Sequence, residues 1–409
     1  MASAAAASTV RAPAVAELVI AGSGPQSLTL CCLLVQKRPR WRQRLRVLDP
    51  SGTWLARWHA QMGRLEIPWL RSPSPHHPHP NPHALRRFAQ ERQRLGELEG
   101  PYGLPHTALF ADFCRSVVAE FQLDDRVQAA SLERIRLAPA GDAPMELALS
   151  DGSLLTARRL VVATGADVPV LPDWVRAIED PYPADALRHS QHIDLSTCCG
   201  LGGQHLVIVG GGLTSAHLAL GAIRRGAQVS LFCRRDVRCR SFDADPGWLG
   251  PRYLRDFRAE PCWHHRRQQV LAARDGGSIT PQLADQLQQA QARGDLQLNP
   301  WCQIASARWC QGQWQLRCQD GSRHRAERLW LATGHHQGVG HHPLLRQLQE
   351  QRPLALIDDW PVLKDDLRWP GIRVHVIGGL SALQLGPAAR NLFGGREAAR
   401  RIGRAALKA

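Results

Sequence analysis

The sequence predicts an α/β fold made of two similar halves, each with a parallel sheet between two layers of helices. Three observations support this. A strand, a glycine-rich turn and a helix follow one another near residue 17 and again near residue 205. Each unit is followed later by a polar hairpin, and each hairpin leads into a buried strand that ends in Ala-Thr-Gly, at 163–165 and at 332–334. Two glycine turns, two hairpins and two Ala-Thr-Gly strand ends, in the same order in each half, indicate an internal repeat at the scale of a domain.

The first turn has the spacing G-x-G-x-x-G, with serine in the last place. Gly22 permits the sharp turn, and Gly24 lets a pyrophosphate approach the backbone. Ser27 is small enough for the helix to pack on the strand, and Pro25 opens that helix, whose free N–H groups favour phosphates. We interpret the turn as one half of a dinucleotide site.

The strand at 45–48 ends in Asp49, whose carboxylate is expected to bond the ribose hydroxyls of an adenosine. It lies roughly 25 residues beyond the first turn, which is the spacing of dinucleotide-binding units. This position strengthens the interpretation of the first turn.

The second cycle has a strand at 206–209, after which the turn contributes Gly210, Gly212, Thr214 and Ser215. Its following strand, 228–232, ends without an acid and is trailed by two arginines, Arg234 and Arg235. Two guanidinium groups suit a 2′-phosphate, so NADPH is favoured over NADH, with a pair of solvated arginines as the alternative.

Composition excludes several classes of protein. The net charge is +15, but the arginines are scattered and not interleaved with aromatics, which indicates a basic surface and not a nucleic-acid site. No run approaches the ~20 apolar residues of a membrane span. Eleven irregularly spaced cysteines without C-x-x-C argue against a disulfide framework and a flavin disulfide reductase. Adjacent Cys31 and Cys32 are interpreted as core residues, and a reducing cytoplasm as the location.

The segment 68–82 is too rich in proline for a helix or a central strand. His76, His77, His79 and His83 lie in or beside it, but a proline-rich loop without cysteine or carboxylate partners does not favour a metal site. We expect an ordered loop packed beside a cofactor.

The expected division places a flexible tail at 1–16, with a remnant targeting segment as the alternative. One discontinuous domain, 17–195 and 336–409, would bind the flavin dinucleotide, because a strand, Gly-Gly turn and helix near 373–390 return the chain to it. The other, 196–335, would bind the nicotinamide dinucleotide and carry an insertion at about 241–299, with a helix at 281–292.

Taken together, these residues resemble the flavin-dependent (class B) monooxygenases, and most closely the lysine and ornithine N-hydroxylases. The resemblance runs from about Glu17 to Ile402. The matching positions are Ser27; Trp58, His59 and Met62; Trp69 to Ser72; His189 and Ser190; Gly210 to Ser215; Ala332 to Gly334; and Gly379, Leu380 and Ser381. Three positions depart from the family: Arg71 replaces a lysine, and Ser72 and Ala382 each replace an aspartate. These departures bear on amine hydroxylation more than on flavin binding.

The resemblance implies FAD and NADPH as cofactors, and a small nucleophilic substrate, most readily an amine, oxygenated by O2 through a flavin hydroperoxide. It places Arg71 near the flavin, where it would pair with negative charge, and His189 at the domain junction near the nicotinamide. The expected cofactor-binding residues are Gly22, Gly24, Pro25, Ser27, Asp49, Trp54, Trp58, His59, Thr164, Gly165, Gly210, Gly212, Thr214, Ser215, Arg234, Arg235, Thr333, Gly334, Gly379 and Leu380.

Two other functions remain open at this point. One is an NADPH-dependent flavin dehydrogenase that passes electrons to a quinone or a carrier and avoids oxygen. The other is a non-catalytic FAD-binding regulator that kept the fold and lost turnover. The sequence names neither the substrate nor the oligomeric state.

Overall fold

A computed structural model describes residues 15–140, 143–165 and 168–407. Most of the expected tail, residues 1–14, lies outside the described residues. The described chain starts beside the first sheet, because Ala16 forms a parallel bridge with Ala157 and is buried.

The described residues contain twenty strands. They are β1 Leu18–Ala21, β2 Leu45–Asp49, β3 Leu98–Glu99, β4 Leu104–Pro105, β5 Val127–Ala129, β6 Leu132–Arg136, β7 Met145–Leu149, β8 Leu154–Ala157, β9 Leu160–Val162, β10 Leu187–His189, β11 His205–Val209, β12 Gln228–Cys233, β13 Leu296–Pro300, β14 Ile304–Cys310, β15 Gln313–Cys318, β16 Arg323–Ala326, β17 Arg328–Leu331, β18 Leu356–Ile357, β19 Trp360–Pro361 and β20 Val374–Val376.

The helices connect these strands. They are α1 Pro25–Lys37, α2 Trp41–Arg44, α3 Ala56–Arg64, α4 Ala84–Glu91, α5 Thr107–Glu120, α6 Asp173–Arg176, α7 Leu213–Ile223, α8 Pro251–Ala259, α9 Trp263–Arg274, α10 Pro281–Ala292, α11 Pro343–Gln351, α12 Ala382–Leu385 and α13 Leu392–Leu407. Within the described ranges, no helix combines the length and the apolar character that crossing a membrane requires.

The first sheet has five parallel strands in the order β20-β9-β1-β2-β5. Its central strands β1 and β9 are buried along their whole length, as expected of parallel strands covered on both faces. Since β20 comes from the C-terminal part of the chain, this half is discontinuous, as the sequence predicts.

The second sheet repeats the plan in the order β10-β17-β11-β12-β13, again all parallel. The strands before and after each glycine turn therefore occupy equivalent positions in both sheets. The edge strand differs in origin, because β10 precedes the second glycine turn while β20 follows both halves. The predicted fold class, with two Rossmann-like halves, is confirmed.

Each half also carries a three-stranded antiparallel sheet, β6-β7-β8 in the first and β14-β15-β16 in the second. These contain the two polar hairpins that the sequence predicts. In the second, a disulfide joins Cys302 to Cys318, a single cross-link rather than a framework. Cys31 and Cys32 are fully buried in the core around α1, as expected.

The stretch 241–299, expected as an insertion on the second half, is divided in the structure. Leu254 and Phe257 of α8 and Val270 of α9 are buried in the core of the first half. In contrast, α10 and β13 pack with the second sheet and complete its helical layer. The chain thus leaves the second half after β12, covers part of the first half, and returns.

Helix α13 closes the first half by packing along α1. The two helices approach closely at glycines: a Cβ on Gly403 would lie 2.6 Å from a methyl carbon of Leu33, and a Cβ on Gly395 would lie 2.8 Å from the Gln26 side chain. The C-terminal segment is therefore held directly against the first glycine turn.

Candidate functional site

The two glycine turns open into one cleft of about 2510 Å³ between the halves. Gly22 and Gly24 lie on one wall, and Gly210 and Gly212 lie on the other. Because the carboxyl ends of both parallel sheets meet there, the cleft has the position in which α/β proteins bind their ligands. Two dinucleotides held by these turns would face each other across it.

The first turn fits a pyrophosphate. Gly22 has φ of +102°, and a Cβ there would lie 2.8 Å from the Ala163 carbonyl oxygen, so the backbone leaves no room for a side chain. At Gly24 a Cβ would meet nothing within 4 Å, so the space in front of the α1 N-terminus is open. An FAD pyrophosphate placed in that space would meet the free N–H groups of the helix.

Asp49 stands beside this turn at the end of β2. Its Oδ2 accepts hydrogen bonds from the Ser23 N–H (3.1 Å) and hydroxyl (2.8 Å), and its Oδ1 accepts from the Ser51 N–H (3.1 Å) and hydroxyl (2.6 Å). Burial alone would raise the pKa of Asp49, but these four hydrogen bonds outweigh it and lower the pKa. The carboxylate lines the cleft in its ionised form, as a ribose contact requires.

The second turn repeats the same backbone contact. Gly210 has φ of +148°, and a Cβ there would lie 2.6 Å from the Ala332 carbonyl oxygen. Ala332 begins the second Ala-Thr-Gly segment just as Ala163 begins the first. In both halves, the start of the Ala-Thr-Gly segment therefore packs against the first glycine of the turn.

A loop from the stretch between α9 and α10 covers the second turn. A Cβ on Gly277 would lie only 2.8 Å from the Gly212 Cα, so the two backbones touch. Asp275, in the left-handed conformation with φ of +43°, pairs with Arg235 (2.9 Å), Arg238 and Arg240. Its carboxylate occupies an arginine cluster of the kind that suits a phosphate.

Arg234, the other arginine predicted for the 2′-phosphate, is exposed to the cleft. In the described part of the chain its guanidinium makes no hydrogen bond or ion pair. At the end of β12, Arg234 is therefore a free cation within the described residues, whereas Arg235 is paired with Asp275. These residues fit the 2′-phosphate of NADPH.

Arg71 lines the cleft but is engaged by the segment that follows β12 and by the covering loop. Its guanidinium donates to the carbonyl oxygens of Arg240 (2.6 Å) and Ser241 (3.1 Å) and to the hydroxyl of Ser278 (2.9 Å). Burial lowers its pKa, and the nearby arginines lower it further, while Asp243 acts in the opposite direction. The structure gives Arg71 the role of joining the proline-rich loop to the segment that covers the second turn.

Most of the predicted residues line this single cleft, and four do not. Those that line it are Arg71, Gly22, Gly24, Pro25, Ser27, Asp49, Trp58, Thr164, Gly165, Gly210, Gly212, Thr214, Arg234, Arg235, Thr333, Gly334, Gly379 and Leu380. Trp54 packs on the core and donates to the Leu123 carbonyl oxygen (2.9 Å), and His59 stacks edge-on against Trp58. Ser215 is buried and donates back to the Gly212 carbonyl oxygen (2.7 Å), inside the helix start.

His189 also lies outside the cleft lining, one layer behind it. Its Nδ1 accepts from the Gln191 N–H at 3.2 Å, and its ring meets that of His335 edge-on at 5.2 Å. Burial, with help from His335, lowers its pKa to about 4, so the ring is neutral at pH 7. The structure places it as support for His335 and Gln191, which do line the cleft.

A group of histidines at the junction of the two halves was not predicted from the sequence. His335, His336, His341 and His342 all line the cleft. The His342 Nε2 lies 2.8 Å from the Thr164 hydroxyl, and the His335 Nε2 lies 2.9 Å from the Gln191 side-chain oxygen. The signal was available, since four histidines within eight residues directly follow the second Ala-Thr-Gly.

The proline-histidine loop lies within the described residues, and one of its histidines, His76, lines the cleft. His77 is fully buried against Phe113, and His79 pairs with Glu120 at 3.1 Å. Across the described ranges, the side chains close enough to share a metal ion are Cys302, Cys318 and His324, none of which belongs to this loop.

Two protein-family models match parts of the chain. Residues 19–167 match the model described as FAD-NAD(P)-binding, and residues 119–247 match that of the pyridine nucleotide-disulphide oxidoreductases. The prediction of an oxidoreductase that binds FAD and a nicotinamide dinucleotide is confirmed. A curated relative, the tRNA 5-methylaminomethyl-2-thiouridine biosynthesis bifunctional protein MnmC of Shewanella pealeana, is 45% identical over 58 residues, 14% of this chain. The match spans only 8% of that relative's length.

Solved structures of N-hydroxylating enzymes match nearly the whole chain. The reduced form of the ornithine hydroxylase PvdA from Pseudomonas aeruginosa has a TM-score of 0.77 at 17% identity, covering 97% of this chain and 99% of that one. The ornithine N-hydroxylase KtzI of Kutzneria sp. 744, with reduced FAD, NADP+ and L-ornithine, has a TM-score of 0.77 at 15% identity, with coverage of 97% and 99%.

A third structure is that of DfoA, a cadaverine monooxygenase from Erwinia amylovora, bound to FAD. It has a TM-score of 0.75 at 18% identity, covering 95% of this chain and 94% of that one. The chain therefore has the fold of the ornithine and lysine N-hydroxylases, the flavin-dependent monooxygenases that its sequence resembles.

Proposed function

We propose that this protein is an FAD-dependent, NADPH-using monooxygenase that oxygenates a small nucleophilic substrate, most readily an amine. The observation that carries the proposal is the single cleft between the two glycine turns. Separate clefts would not allow a hydride to pass between two bound dinucleotides. The fold shared with ornithine and cadaverine hydroxylases supports the amine as substrate.

The chain would divide the binding of the two cofactors between its halves. Gly22, Gly24 and Asp49 would hold FAD, and Gly210 and Arg234 would hold NADPH. Bound FAD would supply the redox chemistry, namely acceptance of a hydride and activation of O2. The protein would supply position and shielding from water, which accords with the absence of a hydrolytic triad among the predicted site residues.

The group His335, His336, His341 and His342, here called the histidine wall, would supply polar contacts to the substrate. Thr164 and His342 are joined at 2.8 Å, as are Gln191 and His335 at 2.9 Å, so both histidine rings are held in fixed positions. Neutral His189 behind them supports this wall without adding charge. A proton released from the amine on oxygenation could pass to such a ring.

The decisive test starts with the purified protein. We expect a yellow protein, with NADPH oxidation under air that an amine accelerates and a hydroxylated amine detected by mass spectrometry. NADPH oxidation only with an added quinone would favour the dehydrogenase alternative. Bound flavin without NADPH oxidation would favour the non-catalytic alternative.

A glycine variant tests the flavin site separately from turnover. Gly24→Val is expected to fold, because the added Cβ meets nothing within 4 Å and φ at this position is −70°. The side chain would fill the space proposed for the pyrophosphate, so the variant should lose most of its FAD, measured as the ratio of flavin to protein absorbance. Gly63→Val is the matched control, since its Cβ also meets nothing within 4 Å, but it lies outside the cleft lining. Equal flavin content in both variants would contradict this site.

A further inference from the structure

Two cysteines and a histidine form a cluster in the second half of the protein. Cys302 follows β13, Cys318 ends β15, and His324 lies on β16. The two sulfur atoms and one ring nitrogen of His324 all lie within 4.8 Å of one another. The proposed oxidation of an amine uses none of these three side chains, so the cluster requires an explanation of its own.

The pairing of the strands brings the three side chains together. Along β15, Leu316 and Cys318 are both buried and are separated by one exposed residue, so they lie on the same face of the small sheet. His324 pairs with Leu316 in the register of β15 and β16 and therefore lies on that face as well. At the end of β13 the chain turns at Trp301, which has φ of +62° and is exposed, and the next residue, Cys302, is buried.

The surroundings of the cluster are apolar. Cys302 is 8% exposed and Cys318 is 1% exposed, and both belong to a core that contains Phe232 and Trp314. The His324 ring meets the Phe232 ring edge-on, with the ring centroids 4.8 Å apart. Two free thiolates would be costly in such surroundings, whereas two thiolates and one divalent cation form a neutral group. Once its sulfurs are reduced, the cluster therefore suits a divalent metal ion.

The donor atoms indicate zinc. Thiolate sulfur and imidazole nitrogen are the usual protein ligands of Zn²⁺, whereas Mg²⁺ and Ca²⁺ prefer oxygen. The His324 Nε2 lies 3.2 Å from the Ser322 hydroxyl, which donates to the Asp320 Oδ1 at 2.6 Å. An outer hydrogen-bond partner of this kind orients the ring of a ligating histidine. Three protein ligands would leave the fourth tetrahedral position to a water molecule.

The same two cysteines form the disulfide, so the disulfide and the metal site exclude each other. Their Cα atoms are 6.1 Å apart. Two thiolates on one tetrahedral zinc ion have their sulfur atoms about 3.8 Å apart, a separation that rotation of the side chains can provide without movement of the backbone. Because Cys302 lines the cleft, a small reductant and a metal ion can both reach the cluster from there.

We propose that Cys302, Cys318 and His324 bind Zn²⁺ in the reduced protein, and that formation of the disulfide releases the metal. Two molecules of a small thiol reduce the disulfide, pass two electrons and two protons to the cysteines, and are themselves joined in a disulfide. The cysteines lose these two protons when their thiolates bind zinc. Exchange with the oxidised small thiol reverses both steps. The inference does not depend on the proposed monooxygenase activity.

The test compares the two redox states of the purified wild-type protein. One sample carries the disulfide, verified by mass spectrometry, and the other is reduced without air by a phosphine. Both are incubated with Zn²⁺ and desalted, and their metal content is measured by mass spectrometry. The reduced sample should retain one zinc ion per chain more than the oxidised sample. Co²⁺ in its place should give thiolate charge-transfer absorption and the visible bands of a tetrahedral site. Equal zinc content in both states would overturn the proposal.

Variants in the reduced state test the three ligands. Cys302→Ala and Cys318→Ala should each lose the additional zinc ion. His324→Gln should weaken zinc binding at least about 100-fold in competition with a chelator, because a ligand is lost and not only an outer partner. Cys310→Ala is the matched control, since Cys310 lies on β14 of the same sheet but outside the cluster, and it should bind zinc as wild type does.

Thermal unfolding without zinc checks that each variant folds. If a cysteine variant does not fold, the comparison of redox states in the wild type decides the question without it. Zinc retained by a folded cysteine variant would overturn the proposal, because the metal would then be bound elsewhere. An unchanged zinc affinity and cobalt spectrum in His324→Gln would overturn it as well.

Discussion

Single residues decide how this cleft can be used, and their partners matter more than their type. Arg234 and Arg235 are neighbours in sequence, yet Arg234 is free in the described part of the chain while Arg235 is paired with Asp275 at 2.9 Å. The sequence suggests Arg71 as a flavin contact. In the structure its guanidinium donates hydrogen bonds to Arg240, Ser241 and Ser278 instead. The chemistry available to an arginine therefore depends on the acceptors that the fold leaves near it.

Arg234 provides a direct test of the preference for NADPH. Arg234→Ala should raise KM for NADPH about 10-fold, because one charge-assisted contact to the 2′-phosphate is lost. KM for NADH should stay within about 2-fold, since NADH has no phosphate at that position. Steady-state oxidation of both nucleotides measures the ratio. A parallel rise in both KM values would assign Arg234 a structural role.

Arg71 separates two hypotheses. If it joins the proline-rich loop to the covering loop, Arg71→Met should lower the free energy of unfolding by about 2 kcal/mol, the scale of hydrogen bonds to a charged group. Thermal unfolding of the cofactor-free protein measures this. An unchanged unfolding midpoint, together with slower flavin reduction or an altered reaction with oxygen, would instead support the flavin contact suggested by the sequence.

At the scale of elements, the loop between α9 and α10 covers the second glycine turn. Gly277 touches Gly212, and the Asp275 carboxylate lies among Arg235, Arg238 and Arg240. A carboxylate held by three guanidinium groups resembles a phosphate in charge and hydrogen bonding. NADPH would therefore have to displace Asp275 to use the whole cluster.

Removing that competition should strengthen NADPH binding. Asp275→Asn keeps the shape of the side chain but removes its charge, so we expect KM for NADPH to fall about 3- to 10-fold. Asp285→Asn, on the exposed face of α10, removes the same charge outside the cleft lining and should change nothing. Weaker NADPH binding in Asp275→Asn would mean that the carboxylate organises the arginines instead of blocking them.

At the scale of the whole molecule, ion pairs and shared segments join the two halves. Glu66, in the first half, pairs with Arg225 (2.5 Å) and Arg224 (2.6 Å) at the end of α7 in the second. The hydrogen bond from Arg225 is the main cause that lowers the pKa of Glu66 to about 2. Because α8 and α9 also pack in the core of the first half, the cleft is framed by two halves that share segments.

Buried histidines should make the whole molecule sensitive to mild acid. Burial lowers the pKa of His77 to about 3 and that of His189 and of His217 to about 4, against about 6.5 in an unfolded chain. As the pH falls below about 6.5, these histidines therefore bind protons in the unfolded chain but stay neutral in the folded chain. The free energy of unfolding decreases as a result. The temperature of the unfolding midpoint should decrease as the pH is lowered from 6.5 to 4.5, and ordinary carboxylates stay mostly ionised over most of that range.

Calorimetry at several pH values in that window measures the loss. His77→Gln should reduce its slope, because one proton fewer is taken up on unfolding, even if the variant is less stable at pH 7. A midpoint that stays constant or rises towards pH 4.5 would contradict the assignment of these histidines as neutral in the folded protein.

The sequence could predict what depends on neighbours along the chain. The strand at 18–21, the turn at Gly22 and Gly24, and the helix from Pro25 follow from local hydrophobicity and local steric needs, and the same reasoning applies at Gly210. The helix at 281–292 was predicted at its observed ends, and in the structure the Thr280 side chain caps its start. The packing of this helix against the second parallel sheet was not predicted, because the residues around a helix in sequence do not indicate which sheet it will contact.

The sequence by itself determined that two nucleotide-binding units repeat, since each unit is coded by a short contiguous run with its own turn. Only the tertiary structure decided which side chains face the cleft with free donors. Arg390, Asp243 and the histidines from 335 to 342 are brought together from segments that are distant in sequence. Hydrogen bonding depends on distance in space, so whether an arginine is free or engaged cannot be determined until the chain has folded around it.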